Sequence, residues 1–286
     1  MWFFWALLSS VTFGMSGFLM KVSSARQGSV THTLWSLYLT GTLGFAIWMA
    51  VTGQFRLDLP ILLGGLIVGL GSAAGNWLFM LALAKGPASL TSPLVNTNIL
   101  LIIAFSVTWY GEALSLTEWM GVILLVGAVF LIPIDPDEEL SIRNRSWYAL
   151  VIAATLFFTF RNGGLKVTDE MDMAGETVLF YGYLFSWLWM SIEILRRSPS
   201  KQEIRKRIGI RTGLLWGGIA GIFSFIGMQL YTLALIEGLA SIVAPLFATN
   251  SLVVALLSIR CFGERLSFLQ KISLLLLFVG LALTRV

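Results

Sequence analysis

Apolar residues in this chain neither alternate nor form a narrow helical stripe. They run in blocks of about 20 residues, divided by short patches of charge, glycine and proline. A block of that length matches a helix crossing a hydrocarbon layer about 30 Å thick at 1.5 Å per residue. Inside such a layer each backbone N–H and C=O must be satisfied within its own segment, so every block is expected to be a helix. Ten are expected. The first five are Trp2 to Met20, Thr33 to Thr52, Pro60 to Ala84, Ala88 to Tyr110 and Thr117 to Ile132. The second five are Trp147 to Leu165, Thr177 to Leu195, Thr212 to Ile236, Leu239 to Phe262 and Phe268 to Thr284. The strongly polar stretch between the two sets divides the chain into residues 1–133, a linker over 134–145, and residues 146–286.

The two sets are copies. Leu81 to Ser115 lies without a gap on Leu233 to Ser267, so that Gly86, Ala88, Ser89, Pro93, Leu94, Thr97, Asn98, Gly111 and Glu112 meet identical residues at Gly238, Ala240, Ser241, Pro245, Leu246, Thr249, Asn250, Gly263 and Glu264. An odd number of spans per copy makes the second half enter the membrane from the opposite side. The expected fold class is therefore an all-α membrane protein of ten transmembrane helices in two inverted five-helix repeats, a multi-pass protein of the cell membrane. Repeats of this kind build solute sites near the midplane, which is an architecture expected of a transporter.

Composition agrees and removes other classes. The chain is 57% hydrophobic and 12% charged, against about 25% charged for soluble domains, so its partner is the lipid bilayer. The net charge of +4 does not point to nucleic acid, because most basic residues sit in the short loops at one face. The positive-inside rule puts that face in the cytoplasm and both termini outside. One cysteine, Cys261, and one histidine, His32, leave no disulfide and no metal-ligand spacing. No metal or cofactor is expected. The N-terminus runs straight into a full span, so a cleaved signal peptide is not expected.

Few residues inside the spans can carry chemistry. Pro93 and Pro245 hold the same place in the two copies, and each removes a backbone donor and frees a carbonyl one turn earlier. Packing kinks and hinges are both open readings. Asn98 and Asn250 follow, and either bond neighbouring helices or meet a solute. Arg161 and Asn162 sit in the sixth span, where Arg161 either snorkels to the interface near Lys166 or faces a cavity and binds a carboxylate with its planar fork. Asn76 with Trp77, and Gln229 with Tyr231, lie at matching depths in the third and eighth spans and are expected to point inward, either to an interhelical hydrogen bond or to a solute. Glu112 and Glu264 are expected at the interface, against a helix N-terminus or a basic residue. No Asp or Glu falls in the central third of a span, which leaves a buried-carboxylate proton relay without a carrier. Trp2, Trp5, Trp109, Trp119 and Trp147 fall at span ends, as interfacial anchors do.

These features resemble the drug/metabolite transporter superfamily of the EamA type. The likeness rests on GPASLTSPL with FSVTWYGEALSLTEWMGV in the first copy and GLASIVAPL with LLSIRCFGERLSFLQKI in the second. It departs at Phe13-Gly14, where the family usually has Trp-Gly, and at Phe160-Arg161-Asn162-Gly163. The resemblance implies a basket in which spans 1, 3, 4, 6, 8 and 9 surround a central cavity, with 5 and 10 peripheral. It also implies termini inside, against the loop charges. Carried onto this chain, it gives Ser16, Asn76, Trp77, Asn98, Arg161, Asn162, Gln229, Tyr231 and Asn250 as cavity residues. The expected function is secondary transport, by alternating access, of a small polar metabolite such as an amino acid or another carboxylate. The chain is expected to act as a monomer on a small-molecule substrate. The alternatives are an integral membrane enzyme, which would need converging nucleophile, base or metal groups, and a structural or sensory membrane subunit.

Overall fold

The computed structural model describes residues 2–53, 55–111, 114–131, 145–196, 203–237, 247 and 249–283. These are helical apart from short connections: α1 (Trp2–Ala25), α2 (Val30–Thr52), α3 (Leu59–Leu83), α4 (Ala88–Val95), α5 (Asn98–Phe105), a π-helical turn (Ser106–Tyr110) and α6 (Leu116–Leu131) in the first repeat, then α7 (Arg145–Glu170), α8 (Gly175–Arg196), α9 (Glu203–Glu237), α10 (Asn250–Phe262) and α11 (Phe268–Leu283) in the second. Pro245, Glu112 and residues 134–144 of the linker lie outside the described residues. Seven stretches are long and apolar enough to cross a membrane: Trp2–Ala25, Val30–Thr52, Leu59–Leu83, Ala88–Trp109, Ser146–Thr168, Gly175–Arg196 and Arg207–Ala234. Three shorter apolar helices, Leu116–Ala128, Asn250–Phe262 and Phe268–Gly280, hold the fifth, ninth and tenth places.

The structure corrects three local expectations. The fourth span is not one helix. It is interrupted at Asn96 and Thr97, where Thr97 N bonds Leu94 O at 3.0 Å and Leu100 N bonds Thr97 O at 2.9 Å, tighter turns that replace the helical ladder. Pro93 lies one turn before that break, inside α4. The helix of the sixth span does not stop at Leu165: α7 winds on to Glu170, which Lys166 meets one turn away at 3.4 Å. Trp147 is not an interfacial anchor but fully buried, because its indole N–H donates to Thr91 Oγ1 at 3.0 Å and the missing side chain of Gly86 leaves room for its ring. Trp109 and Trp119 are exposed at span ends, as anchors should be.

Helices pack mainly across the repeats, in a pattern that survives exchanging the two halves. α1 lies along α9, and α7 along α3; α2 lies along α9, and α8 along α3. α1 also meets α10, as α7 meets α4 and α5. The pairs α2 with α8, α4 with α10, and α6 with α11 sit on the axis. Small residues permit the close crossings, as expected where apolar burial no longer drives association. A Cβ at Gly65 or Gly69 of α3 would strike α8 at Tyr181 and Gly182. One at Gly217 or Gly221 of α9 would strike α2 at Thr33 and Thr40.

Entry to the last helix of each repeat is fixed the same way. Ser115 Oγ accepts from Glu118 N at 3.2 Å while Glu118 Oε2 accepts from Ser115 N at 2.7 Å. Ser267 and Gln270 repeat this reciprocal cap ahead of α11, at 3.2 and 3.1 Å. α6 and α11 then pack on each other at the periphery, where the resemblance placed them.

Candidate substrate site

Around the axis the helix faces are polar. Residues of α1, α3, α4, α7 and α10, with one residue each from α2, α5, α8 and α9 and with Asn96 and Phe247, enclose a cavity of about 80 Å³. Its walls include Ser16, Asn76, Asn98, Arg161, Asn162 and Asn250, which the sequence had put forward.

Arg161 does not snorkel. Its guanidinium lies over the ring of Phe13 from α1, 5.2 Å from the centroid, and over that of Phe158, 5.5 Å away. Its Nη2 is 3.9 Å from Met228 Sδ. Two aromatic faces thus hold a cation that makes no ion pair among the described residues. A half-buried cation within a membrane span is costly unless something compensates it.

Breaking the fourth span exposes carbonyls, and local side chains close them. Thr97 Oγ1 donates to Leu94 O at 2.6 Å, and Asn98 Nδ2 to Val95 O at 2.9 Å. In the second repeat, Asn250 Nδ2 does the same to Phe247 O at 2.7 Å. Asn and Thr compete with helix geometry in this manner, so the repeated Asn is part of the break itself. Asn98 Oδ1 also accepts from Asn162 Nδ2 at 3.0 Å, tying α5 to α7.

A second polar layer backs the cavity. Asn76 Nδ2 donates to Tyr38 Oη at 2.7 Å, and Tyr38 Oη shares a hydrogen bond with Ser72 Oγ at 3.1 Å. Across the axis Tyr183 Oη bonds Ser224 Oγ. Ser72 and Ser224 are equivalent positions of the repeat.

Three expected site residues lie elsewhere. Gln229 is buried but bonded away from the cavity, with Nε2 donating to Glu176 Oε1 at 2.9 Å; Trp48 Nε1 donates to the other oxygen of that carboxylate at 3.2 Å. Tyr231 packs its ring at a tilt against Phe247, with centroids 4.5 Å apart. Trp77 packs partly buried against the main core. Sequence reading also missed wall residues: Phe13, Ser72, Ser92, Asn96, Tyr183 and Ser224. Ser72 and Ser224 stood at equivalent positions, which is a signal that was there to be used. For Asn96 the signal was its place just after Pro93; Tyr183 carried none.

Glu264 sits at one end of the bundle. Its two oxygens accept from Ala88 N and Ser89 N, each at 3.0 Å, so a carboxylate of the second repeat caps α4 of the first. Lys21 Nζ lies 3.4 Å from Glu264 Oε1 and donates to the carbonyls of Leu83 and Gly86. Both expected partners, a helix N-terminus and a basic residue, are present together.

A bundle of apolar helices that pair across two inverted repeats, closing a polar cavity with one cation in it, defines a multi-pass integral membrane protein of the transporter class. The EamA-like transporter family matches residues 1–134 and 145–286, and the chain belongs to that family. An uncharacterised transporter from the cobO 3′ region of a Sinorhizobium species is 31% identical over 142 residues, 46% of this chain and 96% of that protein. An uncharacterised protein of Methanocaldococcus jannaschii is 24% identical over 133 residues, 45% of this chain and 93% of the other. Both therefore align nearly end to end with less than half of this chain, as a single copy of the duplicated unit would. One solved crystal structure superposes over 96% of both chains with a TM-score of 0.59 at 18% identity, a likeness of fold.

Proposed function

We propose that this transporter is a secondary carrier, an exporter or facilitator, that moves a small polar metabolite across the membrane by alternating access, an amino acid or another carboxylate being the expected kind. The observation that carries the reading is Arg161: a guanidinium turned into a polar cavity between the repeats, held by two rings and without an ion pair among the described residues. A bound carboxylate would supply the missing charge through a two-pronged hydrogen bond.

The break at Asn96 and Thr97 gives the wall a place to bend, with Pro93 beside it as the hinge residue. Pro245 has the corresponding role in the second repeat. We take the acting unit to be a monomer. We do not read the site as an enzyme's, since hydroxyls, carboxamides and a guanidinium are a set suited to binding and release. The test is counterflow in proteoliposomes across a panel of amino acids, hydroxy acids, sugars and amines. Saturable exchange of at least one carboxylate is expected, and the absence of flux for every solute would sink the proposal.

A further inference from the structure

The donors and acceptors around the cavity are unequal, and the imbalance bears on which carboxylate fits. Backbone carbonyls at a broken helix are the usual seat for an ammonium group or a sodium ion. Here the carbonyls of Leu94, Val95 and Phe247 each already accept from a side chain, those of Thr97, Asn98 and Asn250, which leaves each with less acceptor capacity for a cation. No Asp or Glu is among the described residues that line the cavity. The rings of Phe13 and Phe158, which could face an ammonium, lie against Arg161. Donors, by contrast, are in surplus: the guanidinium has no ion pair among the described residues, and Asn96 Nδ2 is buried with no hydrogen-bond partner.

From this, and resting on the transport reading above, we propose that the site is built for a solute with a net negative charge, a small hydroxycarboxylate without an amino group, and that it rejects the matching amino acid. The carboxylate sits on Arg161 and Asn96. The solute hydroxyl meets a neutral carboxamide oxygen such as that of Asn162, which suits an O–H donor and cannot neutralise an ammonium. An amino acid would bring its cation next to a guanidinium, into a cavity with no carboxylate among its described lining residues. Removing an ammonium from water costs several kcal/mol unless it is paired.

Glycerate and serine differ only in a hydroxyl against an ammonium on the second carbon, so they isolate the point. In proteoliposomes, glycerate is expected to exchange with an apparent affinity at least about tenfold tighter than serine, without dependence on sodium, a ratio worth about 1.4 kcal/mol. The variant Asn162→Asp supplies the missing anion and should reverse the order in favour of serine, with Asn76→Asp, at another wall carboxamide, as a second chance should the first fail to fold. Serine exchanging as well as glycerate overturns the inference and leaves the carrier reading intact, as does exchange confined to neutral solutes or cations. No exchange by any panel member overturns both. Variants that fold and still prefer glycerate also overturn it.

Discussion

The first helices of the two repeats show how the symmetric frame and the specific site divide the work. Laying α1 on α7 so that Lys21 meets Lys166 also sets Trp2 on Trp147, Phe13 on Phe158 and Val22 on Val167. Within this shared frame the helices differ where they face the axis: Ser16 stands opposite Arg161, and Gly17 opposite Asn162. Both phenylalanines, one from each repeat, hold the same guanidinium. α3 and α9 repeat the lesson. Gly65, Gly69 and Gly75 meet Gly217, Gly221 and Gly227, and Ser72 meets Ser224, while Asn76 stands opposite Met228 beside Arg161. Matched positions make the crossings, and unmatched ones make the cavity chemically one-sided.

Making the halves alike at Arg161 should have the largest effect. Arg161→Ser copies Ser16 and removes the cavity's cation. A hydrogen-bonded charge is worth about 1.5–3 kcal/mol, so carboxylate flux at limiting concentration should fall about 10- to 100-fold. Arg161→Lys should recover only part, since an ammonium keeps the charge but not the fork. Wild-type flux from the serine variant would put Arg161 among the frame residues.

The frame should fail differently, in stability before selectivity. Gly217→Ala forces a Cβ against the backbone of Thr33, whereas at the adjacent Gly218 the nearest atom is Thr40 Cγ2 at 3.9 Å. Gly217→Ala should cost about 1–3 kcal/mol, read as a lower melting temperature in detergent. Gly218→Ala should stay within about 0.5 kcal/mol. Equal melting temperatures would mean that the α2–α9 crossing adjusts freely.

Glu264→Gln ranks next. Its carboxylate is 8% exposed and joins the N-terminus of α4 to Lys21. The amide keeps one acceptor oxygen and loses the charge, at a cost of about 1–2 kcal/mol. Glu118→Gln, in the exposed cap of α6, should lower the melting temperature less. The opposite order would show that the cross-repeat cap adds nothing beyond an ordinary one.

Much of this division could be read from the chain. Uninterrupted apolar blocks fix helices because lipid offers the backbone no other partner, and the duplication fixed which helices are equivalent. Arg161 stood out because a cation inside an apolar block needs a reason. Facing direction was not legible. Asn76 and Gln229 sit at similar depths in equivalent helices, yet Asn76 lines the cavity, whereas Gln229 turns to Glu176, a residue remote in sequence. Nor was the site of the break, since proline advertises a kink but the ladder gives way one turn later, where Thr97 and Asn98 cap the released carbonyls.

The smallest expected effect is also the finest test of the comparison. Asn76→Met copies Met228 and so erases the polar difference between α3 and α9 at this pair of positions. It removes the hydrogen bond to Tyr38 but leaves no orphan, because Tyr38 Oη retains Ser72. One neutral hydrogen bond is worth about 0.5–1.5 kcal/mol net. If Asn76 belongs to the one-sided chemistry of the cavity, solute affinity should fall about two- to tenfold while the melting temperature of the empty protein barely moves. If it belongs to the frame, the melting temperature should drop and affinity hold. The second outcome would shift Asn76 to the matched set in function despite its unmatched sequence, and leave Arg161 and Asn162 to carry the asymmetry alone.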